Sequence, residues 1–305
     1  MMREHTGLTI LTAPKPFSNP HIALIQRNAL RSWAALGQRV QVAVIGDEYG
    51  IAEETLKLGL IHIPHVSRNE KGTPLISSML EETRKATLSP FLAIVNTDIL
   101  LFNDLLKSMD RLAARFQRFV MLGQRWDLKV DEALNFFEQT KNNLPEELIL
   151  KASRHAPMGS DYFIFPRDCY QNYPAFAIGR AGWDNWMIYR GRLDGLAVVD
   201  CSSDVTVIHQ SHDYSHLGGA KSHHALPETA ENVRRGGGEQ TIYLLSDANY
   251  RLKNGKVQRN PFRLKRLLRE IEIAPVTLLH SENLGKAFFY LAHPTKLYHA
   301  LRTRK

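Results

Sequence analysis

Cysteine is nearly absent from this chain. Cys169 and Cys201 are the only two in 305 residues, and their spacing matches no metal motif. This argues against a disulfide framework and for a reducing compartment. Long hydrophobic runs are also missing: none approaches the ~20 apolar residues that span a bilayer. The opening residues, Met1 to Ile10, hold no apolar signal-peptide segment and lead straight into a strand-like stretch. A cytoplasmic location is expected. Gly-x-Gly-x-x-Gly is absent from the first strand and turn, so a dinucleotide fingerprint is excluded. Gly-x-x-x-x-Gly-Lys-Ser/Thr and His-Glu-x-x-His are absent too, which excludes a P-loop and a zinc-protease helix. No internal repeat or low-complexity segment occurs.

Acidic residues are scarce in one region. Residues 251–305 hold three Asp/Glu against 13 Lys/Arg, a net of +10, while the remainder carries 26 Lys/Arg against 28 Asp/Glu. A near-neutral body with a basic end points to an anionic surface or partner for the tail, or to a solvated helical face. The tail lacks interleaved exposed aromatics and any known module, so nucleic acid is not expected as a partner.

What is present reads as α/β. Hydrophobic content is 44%, and the length suits one large domain or a domain with an appendage. Strand-like segments at Leu8–Thr12, Val40–Ile45 and Leu60–Ile63 alternate with helical patterns. The first helix follows a cap at Ser18 or Asn19, with Pro20 in its first turn. Ile22, Ile25, Ala29, Trp33 and Leu36 share its apolar face. A third helical pattern covers Pro74 to Ala86. Phe91 to Val95 then form a short buried strand leading to Asn96-Thr97-Asp98. Further strands are expected at Phe119–Gly123, Leu196–Asp200 and Val205–Ile208, and a helix from Asn103. Residues 130–153 read as helical with a break near Asn142 to Pro145, 217–239 as a mobile Gly- and His-rich loop. Leu264, Leu267, Leu268 and Ile271 mark a basic amphipathic helix, and a second runs from Leu284 to Leu301, interrupted at Pro294. The alternation implies a doubly wound, largely parallel sheet.

Three polar clusters carry chemistry. Asn96 and Asp98 are alternate residues after a buried strand, so their oxygens can point to one place and hold a hard cation. The plainer reading is that Asp98 caps the next segment. Asp184 lies in Trp183-Asp-Asn-Trp186, where apolar neighbours raise a carboxyl pKa toward that of a general base. Equally, Asp184 caps its helix while the tryptophans pack inside. His209, His212, Asp213 and His216 follow a strand; one histidine completing an oxygen-rich site fits them better than an all-His zinc site. His223 and His224 read as solvated loop residues.

In this order the clusters resemble the GT-A superfamily of nucleotide-sugar glycosyltransferases, from Leu8 to His216. Phe176-Ala-Ile-Gly-Arg-Ala-Gly-Trp-Asp-Asn-Trp186 and Val207-Ile-His-Gln-Ser-His-Asp-Tyr-Ser-His216 look like a bacterial and plant glycosyltransferase-like group. Asn96-Thr-Asp98 is similar to that superfamily's Asp-x-Asp motif, with Asn96 in place of the first Asp. The resemblance implies a GT-A type Rossmann-like three-layer sandwich with a mostly parallel central sheet and a basic helical tail. It implies a nucleotide-binding half at 1–124, a donor-sugar and acceptor half at 125–216, and a loop and basic extension at 217–305. It further implies a nucleoside-diphosphate sugar flanked by Thr12, Ala13 and Lys15, with Asp47 on the base or ribose. A divalent ion, Mn or Mg, would be held by Asp98 and by His209 or His212. Gly159 stands where a glycine loop is expected, and Asp161 would hold donor hydroxyls. Trp183 would meet the sugar, Arg125 and Arg180 the diphosphate. Asp184 would take the proton of an acceptor hydroxyl in a single inverting displacement, although a retaining outcome stays open.

Two other classes compete. A sugar nucleotidyltransferase would carry a Gly-rich loop after the first strand, and Ala13-Pro-Lys-Pro-Phe17 is not one. A non-catalytic carbohydrate- or partner-binding relative would differ in its indifference to loss of the Asp184 carboxylate. The acceptor is expected to be a carbohydrate or a lipid-linked molecule, and the basic tail is expected to touch the inner face of an anionic membrane or to pack back onto the fold.

Overall fold

Strand β1 (Leu8–Thr12) is buried along its whole length and pairs in parallel with β2 (Val40–Ile45) and β4 (Phe91–Val95). A strand covered on both faces needs apolar residues at odd and even positions alike. That is why Phe91 to Val95 carries no polar alternation. The computed structural model describes residues 7–136, 144–157, 160–212, 226–261 and 264–302. Its central sheet has nine strands, in the order β13-β12-β10-β6-β9-β4-β1-β2-β3. The remaining members are β3 (Ile61–Ile63), β6 (Phe119–Leu122), β9 (Tyr162–Pro166), β10 (Ala197–Asp200), β12 (Tyr250–Lys253) and β13 (Lys256–Arg259). All pairings are parallel except those of β9 with β4 and β6 and of β12 with β13.

Side chains of alternate residues feed two cores. Ile10, Val42, Val44, Ala93 and Val95 join helix α1 (Pro20–Ala34) and helix α4 (Asp104–Arg115) on one face. Leu11, Ala43, Ile45, Leu92 and Ile94 join α3 (Ile76–Ala86), α6 (Trp183–Leu193) and α8 (Leu264–Thr277) on the other. This is the expected three-layer sandwich. Asn19 caps α1, its side chain accepting from the N–H groups of His21 and Ile22, with Pro20 just behind it. Trp33 on α1 is fully buried, and its indole N–H donates to the carbonyl of Ile99 at 2.9 Å.

That carbonyl belongs to a second, smaller sheet, of order β5-β11-β7-β8: β5 (Ile99–Leu101), β11 (Val207–Gln210), β7 (Trp126–Leu128) and β8 (Ser153–Arg154). Three stretches differ from expectation. Residues 130–136 are not helical, and only Leu144–Ile149 forms a helix, α5, among the described residues of 130–153. Val130, Phe136 and Leu148 instead pack with Leu128 and Ile208 against the small sheet, a use of spaced apolar residues that mimics a helical period. The loop reading of 217–239 fails at Pro227–Arg235, which is helix α7. Its Asn232 is buried and exchanges hydrogen bonds with both the N–H and the C=O of Ala177, which anchors the helix. The segment read as helical tail also supplies β12 and β13, which extend the central sheet. Helices α8, α9 (Glu282–Ala292) and α10 (Pro294–Arg302) follow, with the break at Pro294 where expected. Among the described residues, no helix is long and apolar enough to cross a membrane.

Candidate active site

The small sheet exists to the benefit of four side chains. Asp98 sits in the turn between β4 and β5. In register, His209 on β11 lies beside Ile99 on one side and Asp127 on the other, and Asp127 lies opposite Ser153. His155 follows β8 directly. Neighbours in register project to one face, so four distant segments converge at the carboxyl edge of the central sheet.

Asp98 Oδ2 faces two imidazoles, 3.5 Å from His209 Nε2 and 3.2 Å from His212 Nε2. One ligand atom from each of the three residues lies within 4.8 Å of the others. Burial by itself would push the Asp98 carboxyl up, but the imidazoles, His209 foremost, hold it well below the usual carboxylate range. His209 is almost buried, which favours its neutral form, yet the charges of Asp98 and Asp127 raise it to about 9. Asp127 accepts from His209 Nδ1 (3.0 Å) and from His155 Nδ1 (2.7 Å). That second carboxylate fixes the His209 ring so that Nε2 points at Asp98. Asp98 Oδ1 is buried and has no hydrogen-bond partner among the described residues. A buried carboxylate oxygen without a partner is costly. One carboxylate and two imidazoles with such an oxygen are a fitting donor set for a divalent metal ion.

A carboxylate lattice surrounds this cluster. Because β9 runs antiparallel to β4, its first residues meet the end of β4, and the Asn96 N–H donates to the Asp161 carbonyl at 3.2 Å. The Asn96 side chain donates through Nδ2 to Asp161 Oδ1 at 3.0 Å. Arg125 braces two carboxylates, with Nη1 on Asp161 Oδ2 at 2.7 Å and Nε on Asp127 Oδ1 at 2.9 Å. The Asn96 amide nitrogen is thus bound to Asp161. Arg125 and Arg180, both expected on a diphosphate, are engaged by carboxylates: Arg180 donates to Glu228 at 2.7 Å.

At the ends of β1 and β2 lie the other expected residues. Thr12 and Thr97 share a hydroxyl hydrogen bond of 2.7 Å, which ties β1 to the Asp98 turn. Ala13 packs against the second core. The Lys15 main chain is held on both sides by the Gln26 amide, at 2.7 and 3.0 Å. Burial lowers the Lys15 ammonium from its ordinary value, against the attraction of Asp98. Asp47 is exposed and pairs with Arg68 at 2.7 Å.

Asp184 lies in the first turn of α6. Gly182 before it has φ +105°, and an added Cβ would meet Val233 at 3.3 Å, so only glycine suits that turn. Asp184 Oδ1 accepts from the Gly182 N–H at 3.2 Å. Burial raises its carboxyl to about 6, and the nearby Asp161 charge adds to the rise. The expected sugar platform fails: Trp183 is 3% exposed and stacks edge-on against Phe163, inside the second core. Its flanking position in the helix turn faces the sheet, where burial of a large ring is worth more than exposure. Gly159, Asp213, His216, His223 and His224 lie outside the described residues.

Asp127, His155 and Glu228 were not singled out from the sequence. Asp127 carried one signal, its place two residues after Arg125 at the end of a strand. Glu228 has none, since its partners Asn69, Thr73 and Arg180 lie far away in the chain.

Neither a protein-family model nor a curated protein matches the chain. Solved structures similar to it include S. aureus TarS 1–349 in complex with UDP-GlcNAc, at 14% identity and TM-score 0.46, over 75% of this chain and 64% of that one. Others are glucosyl-3-phosphoglycerate synthase from Mycobacterium tuberculosis with Mn2+, UDP and glucosyl-3-phosphoglycerate, at 14% identity and TM-score 0.44, over 85% and 88%. The same enzyme with Mg2+ and UDP is similar at 14% identity and TM-score 0.43, over 70% and 74%. The chain thus spans under two-thirds of the length of the first of these, 64%.

Proposed function

We propose that the chain is a GT-A type glycosyltransferase that moves a sugar from a nucleoside-diphosphate sugar to an acceptor hydroxyl. The observation that carries this reading is the cluster of Asp98, His209 and His212, whose carboxylate has an oxygen without a partner among the described residues; Asp161, braced by Asn96 and Arg125, acts on the raised carboxyl of Asp184. Ligands of open α/β sheets bind outside the carboxyl ends of the strands, and Asp98 follows the end of β4. Residues 1–124 supply the nucleotide side and 125–216 the sugar and acceptor side. Thr12, Ala13 and Lys15 flank the nucleotide, and Asp47 after β2 serves its base or ribose. Lys15 brings a positive charge to the diphosphate, since burial weakens its hold on hydration.

Asp98, His209 and His212 would hold Mn or Mg, and such an ion neutralises charge on the leaving diphosphate. Asp161, oriented by Asn96 and Arg125, accepts from donor-sugar hydroxyls. Asp184 takes the proton of the acceptor hydroxyl while its oxygen bonds to the anomeric carbon, and the bond to the diphosphate breaks with inversion. An acid with a raised pKa is suited to that exchange, because it is ionised near neutrality yet basic enough to accept the proton. The acceptor is a carbohydrate or lipid-linked alcohol.

The decisive experiment is a thermal-shift panel of UDP-, GDP-, CMP- and dTDP-sugars, each with and without Mn. One donor should raise the melting temperature, more so with Mn. No shift from any donor would overturn the reading.

A further inference from the structure

Helix α8 is built the wrong way round for a helix on a soluble body. Its charged side faces inward. Arg266 and Arg192 converge on Glu270 (3.0 and 2.8 Å), and Arg269 pairs with Asp247 at 3.0 Å and Glu272 at 2.7 Å. Only Ile273, Pro275 and Val276 near its end are buried apolar residues. Its apolar side faces outward: Leu264 is 74% exposed, Leu268 60% and Ile271 57%, with Leu267 beside them. These positions recur at the three- and four-residue spacing of one helical stripe. Helix α9 repeats the pattern. Gly285 and Phe289 are buried, Gly285 against Val276 of α8, while Leu284, Phe288 and Leu291 lie exposed at the same spacing. Leu278 and Leu279 continue the apolar surface through the connection. A run of this extent is unusual on a monomer's surface and marks an interaction site.

Charge narrows the occupant. Lys253, Lys256, Arg259, Lys265 and Lys286 make no ion pair among the described residues, and residues 251–305 carry a net +10. A second copy of this chain would set one basic tail against another. An anionic lipid surface answers both properties, taking the leucines and phenylalanine at the acyl boundary and the lysines at the headgroups.

We propose that the exposed apolar stripes of α8 and α9, with Lys265 and Lys286 on the same helices, dock the protein on an anionic membrane. The inference does not rest on the catalytic reading. Docking there would hold the sheet's site at a fixed height above a lipid surface.

Flotation of the full chain with vesicles tests it, using phosphatidylcholine alone and phosphatidylcholine mixed with phosphatidylglycerol. Binding is expected on the mixed vesicles, weakening with salt, and little on the neutral ones. The double variants Leu268→Ser/Ile271→Ser and Leu284→Ser/Phe288→Ser should bind about tenfold more weakly or not at all, with unchanged melting, because the altered side chains touch solvent. Lys265→Glu/Lys286→Glu should weaken binding while leaving the apolar stripe intact. Equal binding to both vesicle types, or undiminished binding by the serine variants, would overturn the proposal. So would a dimer in sedimentation that the serine variants abolish without any vesicle binding by the parent chain.

Discussion

Replacing Asp184 by Asn should remove activity and strengthen the fold. Burial raises the Asp184 carboxyl from 3.8 to about 6, so at pH 8 the folded chain carries an ionised group that the unfolded chain ionises more readily. Two units of displacement correspond to about 3 kcal/mol. Asn keeps an acceptor for the Gly182 N–H and ends the repulsion from Asp161, so about 2–3 kcal/mol of that should be recovered. For a chain of this size the gain appears as about 5 °C in Tm. The sign follows from proton linkage. The folded state binds the proton more tightly, so the parent's stability rises as pH falls through 6 toward 3.8, and is lowest relative to the variant above 6. The gap between variant and parent should therefore be widest at pH 8 and close near pH 4. Turnover should drop about 10²–10⁴-fold, with donor-induced melting shifts retained. Melting curves of both proteins across that pH range, with a product assay, check it. A variant no more stable than the parent at pH 8, or a gap that ignores pH, would refute the reasoning about burial. Intact turnover would remove Asp184 from the chemistry.

His209→Ala should abolish the Mn-dependent part of any donor-induced melting shift, and Asp98→Asn should do the same; titration calorimetry with Mn alone reads the loss directly. Asn96→Asp should cost about 1–2 kcal/mol in a urea melt, because it replaces the donor to Asp161 with a like charge; stabilisation would sink that account. Glu228→Gln should cost about 2–3 kcal/mol at pH 7. Burial opposes its charge, but Asn69, Thr73 and Arg180 hold its carboxyl at about 2 against an ordinary 4.5. That contribution is full above 4.5 and lost as pH falls through 2, so the parent and variant melts should converge only in strong acid.

The alternation of strands and helices was legible because each buried strand is a short apolar run and each helix shows a 3.6-residue period. Asp98 is joined to His209 and His212 by the resemblance to the superfamily's motif order, since the three lie far apart in the chain. The small sheet could not be foreseen. Ile99–Leu101 and Trp126–Leu128 are three residues long, and their pairing with β11 depends on contacts across about a hundred residues. Without that sheet, Asp127 and His155 have no address. Trp183 misled for the opposite reason: an aromatic beside a carboxylate reads alike whether it faces a sugar or a core, and tertiary packing decided for the core.

The order of the small sheet has a consequence for how the protein comes into being. β11 lies between β5 and β7 and is the last of its strands to leave the ribosome. Until it inserts, Asp98 and Asp127 are two carboxylates on unjoined edges, and no ion-binding constellation exists. Closing contacts of that sequence separation is slow relative to forming helices. Metal affinity should therefore appear late in refolding, behind the far-ultraviolet signal of secondary structure, and stopped-flow mixing with Mn can time it. A nascent chain therefore brings Asp98 and Asp127 together only when its last strand, β11, closes the gap.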